Sequence, residues 1–236
     1  MCWFQGLKDP LMPELNKKCI NLWQKLNPDF EFIFLDDQNI HKYLPNWENI
    51  IDTKYERNRT HKSDLLRLIL LSKFGGYWCD SSLFPMAPLR IIRPQILNNT
   101  NIFMYRFNPR KRGGNTNHDG FRETASWFIA SPNAHHPVID YWLEDFQKIF
   151  NNAPNIYFKA IHQSLCDVFD RNLEIRHYIN SMVQIDERIP HSPRYEKIFM
   201  NTKTLDSFMY KRPPEVFIEK LQKDNLKPFA ELKKED

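Results

Sequence analysis

The chain has 236 residues, 42% hydrophobic and 26% charged, a balance that supports a packed domain of the larger α/β kind and excludes wholesale disorder. Its formal net charge of +4 falls short of the basic stripe that a nucleic-acid-binding domain needs. The four cysteines, Cys2, Cys19, Cys79 and Cys166, form no CxxC pair and no small-scaffold spacing, which argues against a zinc centre or disulfide framework and for a reducing compartment.

The opening residues carry neither a basic n-region nor a long apolar run, so no signal peptide is expected. No stretch reaches the ~20 apolar residues that span a bilayer. The expectation is a cytoplasmic protein, compatible with attachment at the membrane periphery.

Leu15, Cys19, Leu22, Trp23 and Leu26 fall on one face of a helix over residues 15–26, with Pro13 suited to its first turn. Asn27-Pro28-Asp29 breaks it. Residues 30–35 alternate in the manner of a strand that runs into Asp36-Asp37. Residues 38–60 are polar, with a short helical possibility over 40–44. Ser63 is placed to cap a helix whose body, residues 65–74, is apolar nearly all round and so reads as buried. Gly75-Gly76 stops it, since glycine accepts the left-handed backbone at a helix end. A short buried strand, residues 77–79, then ends at Asp80.

Further strands are predicted at residues 102–107 and 126–130, with a surface loop between them over 108–120. Pro137 opens a helix that places Val138, Tyr141, Trp142, Phe146 and Ile149 on one face, and another helix covers residues 157–169. Residues 1–212 read as one domain. Residues 213–236 read as a charged, partly helical tail with an amphipathic segment at 216–221. Helices alternating with strands predict an α/β fold, a mostly parallel central sheet flanked by helices with a helical C-terminal part. Ligands bind such sheets at the carboxyl ends of strands, and Asp36 and Asp80 both stand there.

The chemistry concentrates in Ser63-Asp64-Leu65-Leu66-Arg67 and Gly75-Gly76-Tyr77-Trp78-Cys79-Asp80-Ser81-Ser82. Asp64 and Arg67, three apart on an oily helix, project from one face. Buried charges are paired or bind something. This pair either satisfies itself or holds sugar hydroxyls, the carboxylate accepting and the guanidinium donating in fixed directions.

These segments, with Trp3-Phe4-Gln5-Gly6, the helix–strand unit of residues 19–35, Leu35-Asp36-Asp37 and a weaker Trp127-Phe128-Ile129-Ala130-Ser131, resemble the retaining GT-A-fold glycosyltransferases named for a sugar-binding region containing the DXD motif. The likeness is closest to their capsular-polysaccharide-synthesis relatives. It extends to Ala130 and fades afterwards.

The resemblance implies a GT-A-like, Rossmann-type fold that takes a UDP- or GDP-linked sugar and passes it to a glycan or lipid-linked oligosaccharide acceptor. It implies that Trp3 lies near the nucleotide base and Asp36 beside the base and ribose. Asp64 and Arg67 grip the donor sugar, and Trp78 lines the same pocket. Asp80 is the first acid of the DXD motif and faces ribose, sugar or metal. Gln5 and Gly76 belong to the same donor-binding set. In the family's motif a second acid helps hold Mn²⁺ or Mg²⁺ against the diphosphate; here that place is Ser82. Three arrangements then stand open. They are a metal held by Asp80, the phosphates and a C-terminal ligand such as His191, a metal-free site, and a catalytically inactive nucleotide-sugar-binding module. Other cations for the leaving diphosphate are Lys62, the arginines of 106–112 and the 188–191 region. The retaining chemistry implied needs no glycosidase-like carboxylate pair, because the departing phosphate takes the acceptor proton.

Three further signals have plainer readings. His162 reads as a packed helix histidine rather than a site residue. His135-His136 reads as a solvated turn before Pro137. The basic run at 106–112 lacks the strand and helix context of a phosphate-binding P-loop and suits a loop over the acceptor site.

Overall fold

The computed structural model describes residues 1–2, 4–97, 100–106, 124–157, 159–185, 209–213 and 218. Helix α1 spans Glu14–Leu26, with Pro13 as its N-cap, and buries Cys19, Ile20 and Trp23 along the face that the 3.6-residue period implied. A 3₁₀ turn at Ile40–Lys42 and the short helix α2, Trp47–Ile51, follow. Helix α3 runs Arg59–Phe74. Its cap is Asn58, whose side chain accepts the His61 N–H at 2.9 Å, so Ser63 lies one turn inside the helix. The polar first turn hid that start, because it carries no apolar period.

After α3 come β1 (Gly76–Cys79), β2 (Leu83–Pro85), α4 (Leu89–Ile96), β3 (Phe103–Arg106) and β4 (Thr124–Ser131). Then follow α5 (Pro137–Asn152), α6 (Ala160–Arg171), α7 (Leu173–Ser181) and β5 (Met209–Lys211). Helix α4 escaped prediction because it contains Pro94. Helix α7 did so because it is short; Asn172 caps it by accepting the N–H groups of Glu174 and Ile175.

β4 is the middle of a three-stranded sheet ordered β1-β4-β3 and is antiparallel to both neighbours. Every residue of β4 is buried, as a strand covered on both faces requires. Trp78, Met104 and Ile129 face a core shared with α3, α5, α6 and α7. Tyr77, Cys79, Phe103, Tyr105 and Phe128 point the other way, against α1 and α4. This is the period-two alternation of a pleated sheet. β2 and β5 form a separate antiparallel pair.

The expected mostly parallel sheet is therefore not what the described strands form. The parallel component among them is an isolated bridge between Cys2 and Leu35. There Leu35 N–H donates to Met1 O at 2.8 Å and Asp37 N–H to Phe4 O at 2.9 Å. Residues 31–34, predicted as strand, join no ladder. Alternating side chains select the faces of a strand, but a ladder also needs a partner backbone within reach. β1 meets β4 on one edge and borders a groove on the other, lined by Phe30, Phe32, Ile33 and Tyr77.

No described helix is long and apolar enough to cross a membrane. The predicted loop at 108–120, and the predicted tail apart from Pro213 and Ile218, lie outside the described residues.

Candidate active site

Asp80 follows the last residue of β1, and its N–H donates to Trp127 O on β4 at 2.9 Å. The sheet thus fixes where its carboxylate stands. Trp78 Nε1 donates to Asp80 Oδ1 at 3.0 Å, and Lys211 Nζ donates to Oδ2. Lys211 arrives from 131 positions away because β5 pairs with β2. Arg67 sits between the two acids, its Nη2 lying 2.9 Å from Asp64 Oδ1 and 3.7 Å from Asp80 Oδ1. Its Nη1 donates to Ser126 O at 2.6 Å and its Nε to Ser63 O at 3.3 Å. The guanidinium stands 5.1 Å from the Trp78 ring centroid, within cation–π range.

The two acids are driven in opposite directions. Burial raises Asp64 to about 6, against the pull of Arg67 and with some help from Asp80. Burial would raise Asp80 as well, but Lys211 and Arg67, with hydrogen bonds from Lys211 and Trp78, hold it at about 2. Asp80 is therefore a fixed anion, while burial pushes Lys211 down against the pull of that partner.

Arg67, Trp78 and Asp80 line one wall of a cleft of about 620 Å³. Cys2, Phe4, Gln5 and Asn16 form part of the rest, with Arg59, Ser63, Ser81, Ser82 and Arg212. Asn16 donates to Ser81 Oγ at 2.9 Å and so ties α1 to the segment that carries Asp80. The charged side chains lining the whole cleft, among the described residues, are three guanidiniums and one carboxylate. Such a surface suits an anionic, hydroxyl-rich ligand.

Several expected site residues meet here and others do not. Gln5, Arg67, Trp78, Asp80 and Ser82 share the cleft. Asp64 stands behind Arg67 with its side chain 6% exposed and is not part of the wall. Asp36 uses Oδ1 to accept the N–H groups of Gln38 and Asn39, which caps a turn outside the cleft. Gly76 borders the apolar groove on the far edge of β1, where a side chain at its position would meet open space. Trp3 and His191 lie outside the described residues. His162 Nδ1 is 2.6 Å from Thr124 O, packed against β4 as anticipated. His136 is buried and caps α5, in contrast to the solvated turn expected there. Arg106, one of the cations considered for the diphosphate, donates instead to Ile179 O.

Arg59, Lys211 and Arg212 were missed by sequence reasoning. Arg59 opens α3 in a polar first turn that carries no apolar period. Lys211 and Arg212 have no local signal, because only strand pairing brings them to Asp80.

A divalent cation at a DXD site needs carboxylate oxygens free to ligate it. Here Lys211 and Trp78 occupy the oxygens of Asp80, and Ser82 supplies a neutral hydroxyl where the motif has its second acid. Among the described residues no cluster of three or more His, Cys, Asp or Glu forms. This donor set does not fit Mn²⁺ or Mg²⁺.

The architecture and cleft define a class, an α/β protein with a guanidinium-and-carboxylate site built at the end of a sheet strand. Within that class, the chain belongs to the capsular polysaccharide synthesis protein family, whose model matches residues 1–196. It is also similar to a solved structure of PaToxG Glycosyltransferase, at 16% identity and a TM-score of 0.45, over 77% of this chain and 71% of that one. No curated protein matches the sequence.

Proposed function

We propose that the protein is a glycosyltransferase of polysaccharide synthesis. It takes a UDP- or GDP-linked hexose and passes it, with retention, to a glycan or lipid-linked oligosaccharide acceptor at the cytoplasmic face of a membrane. The observation that carries this reading is the meeting of Arg67, Trp78 and Asp80 on one cleft wall in a chain of the capsular polysaccharide synthesis family. A volume of about 620 Å³ suits a nucleotide sugar. The proposed fold is of the GT-A kind.

In the proposed reaction the bond from the sugar's anomeric carbon to the diphosphate oxygen breaks, and that oxygen keeps the electron pair. The acceptor hydroxyl forms the new glycosidic bond on the same face, and its proton passes to the departing phosphate. Charge builds on the diphosphate as it leaves, so preset cations there lower the barrier. Asp80, a fixed anion, accepts hydroxyl hydrogens of the ribose or sugar. Arg67, itself held by Asp64, keeps that carboxylate in place. Trp78 offers an indole face to the sugar, and Gln5 and Ser82 add hydrogen-bonding groups. Trp3 is proposed for the nucleoside end.

Incubation with a panel of UDP- and GDP-sugars, with nucleotide release as the readout, tests the reading. Release with one donor is expected. Binding without release would favour the inactive binding module. Neither binding nor release with any donor would overturn the proposal.

A further inference from the structure

We propose that this cleft holds the diphosphate of its donor without a divalent cation. The inference rests on the glycosyltransferase reading and adds to it which groups neutralise the leaving group. Three observations carry it.

The first is occupancy. Strand β5 delivers the Lys211 ammonium to Asp80 Oδ2, while the Trp78 indole N–H takes Oδ1. Lys211 is buried, with a side chain 8% exposed, so its position is set by strand pairing rather than by chance on the surface. A metal would have to displace a charge already seated there.

The second is the next residue. Arg212 lines the cleft with φ +49, in the left-handed region that non-glycine residues rarely enter. Its N–H donates to Ser82 O at 3.0 Å, which fastens this turn to the segment that carries Asp80. Backbone held in that region is a cost the surrounding structure must offset, and such positions cluster at binding sites.

The third is charge. Arg67 has its nitrogens committed to Asp64, Ser63 and Ser126, so it organises the wall. Arg59 and Arg212 border the same cleft from α3 and from the turn after β5. Arg59 and Arg212 meet the phosphate oxygens, and guanidiniums match that geometry with paired N–H donors. Lys211 is a positioning residue. It keeps Asp80 oriented toward the sugar and fills the place a cation would need.

Calorimetric titration of UDP and GDP into the full chain, once in EDTA and once in Mn²⁺, tests this. One nucleotide is expected to bind with dissociation constants in the two conditions that agree within about threefold. Arg212→Asn, chosen because asparagine tolerates the left-handed backbone, is expected to weaken that binding at least tenfold with an unchanged melting temperature. Spin resonance of Mn²⁺ mixed with protein and nucleotide is expected to show no protein-bound ion. Binding that EDTA abolishes and Mn²⁺ restores, or a protein-bound Mn²⁺ signal, would overturn the inference and leave the glycosyltransferase reading standing. Failure of both nucleotides in both conditions would take down the two together. Full-strength binding by Arg212→Asn would remove Arg212 from the site and overturn the inference as stated.

Discussion

Asp80 answers Lys211, Arg67 and the Trp78 N–H together. Asp80→Asn keeps its shape and deletes its charge. We expect nucleotide release to fall by at least ~100-fold, the scale seen when a preset polar contact in an active site is lost. Stability falls as well, by roughly 2–3 kcal/mol. That is below the ~3–5 kcal/mol of breaking a fully buried pair, since the Asp80 side chain is 26% exposed. Activity and thermal melting read the two effects separately, and release at the wild-type rate would place the chemistry elsewhere. Asp64 gives a prediction in pH. Its folded value lies near 6 and its ordinary value at 3.8, so the folded chain holds the extra proton between them. What this group contributes to stability is complete below about pH 4 and disappears as pH rises through about 6. Asp80 has the opposite sign, contributing above its ordinary 3.8 and losing that contribution as pH falls through about 2. The wild-type melting temperature should therefore drop more between pH 4.5 and 7 than that of Asp64→Asn. Parallel profiles for the two proteins would refute this account of the pair.

At the scale of single elements, the junction of α3 and β1 decides where Asp80 stands. Gly75 has φ +69, and a Cβ there would lie 2.7 Å from Ser131 O and 2.8 Å from Pro132 O, both backbone atoms that cannot swing aside. Gly76 has φ +90 but faces open space. Both alanine variants meet the left-handed strain of roughly 1–2 kcal/mol. Only Gly75→Ala adds a collision with β4 and the turn after it. We expect Gly75→Ala to melt markedly lower than Gly76→Ala in the same buffer. Equal melting temperatures would mean that the turn yields freely. The glycine pair was readable from sequence as a stop. That one glycine is crowded and the other open follows from β4, which lies about fifty residues further along the chain.

For the molecule as a whole, the critical link is β5, which closes the cleft from near the C-terminal end of the described chain. Met209 is fully buried in the core between the sheet and α1 with α4. Met209→Ala should cost about 2–5 kcal/mol, as buried large-to-small changes do. It should weaken nucleotide binding too, because the same strand holds Lys211 and Arg212. The exposed Tyr141 on α5 serves as a control, and its alanine variant should change neither property. A Met209→Ala protein that melts lower yet binds nucleotide normally would uncouple β5 from the site.

Local pattern was enough to place α1, α5, β1, β4 and the stop at Gly75-Gly76, to single out Asp64 and Arg67 as a charged pair that an oily helix would carry only for a reason, and to mark Asp80 as an acid at a strand's end. Periodicity, caps and glycine are properties of neighbouring residues, so they are legible in a linear text. Whether residues 31–34 find a ladder, whether the strands run parallel or antiparallel, and which distant cation sits on Asp80 are questions of partnership. Partnership between Asp80 and Lys211 depends on burying Met209 and Tyr210 against the rest of the core. Backbone pairing and burial are settled only when the whole chain has packed, and no stretch of sequence holds that information alone.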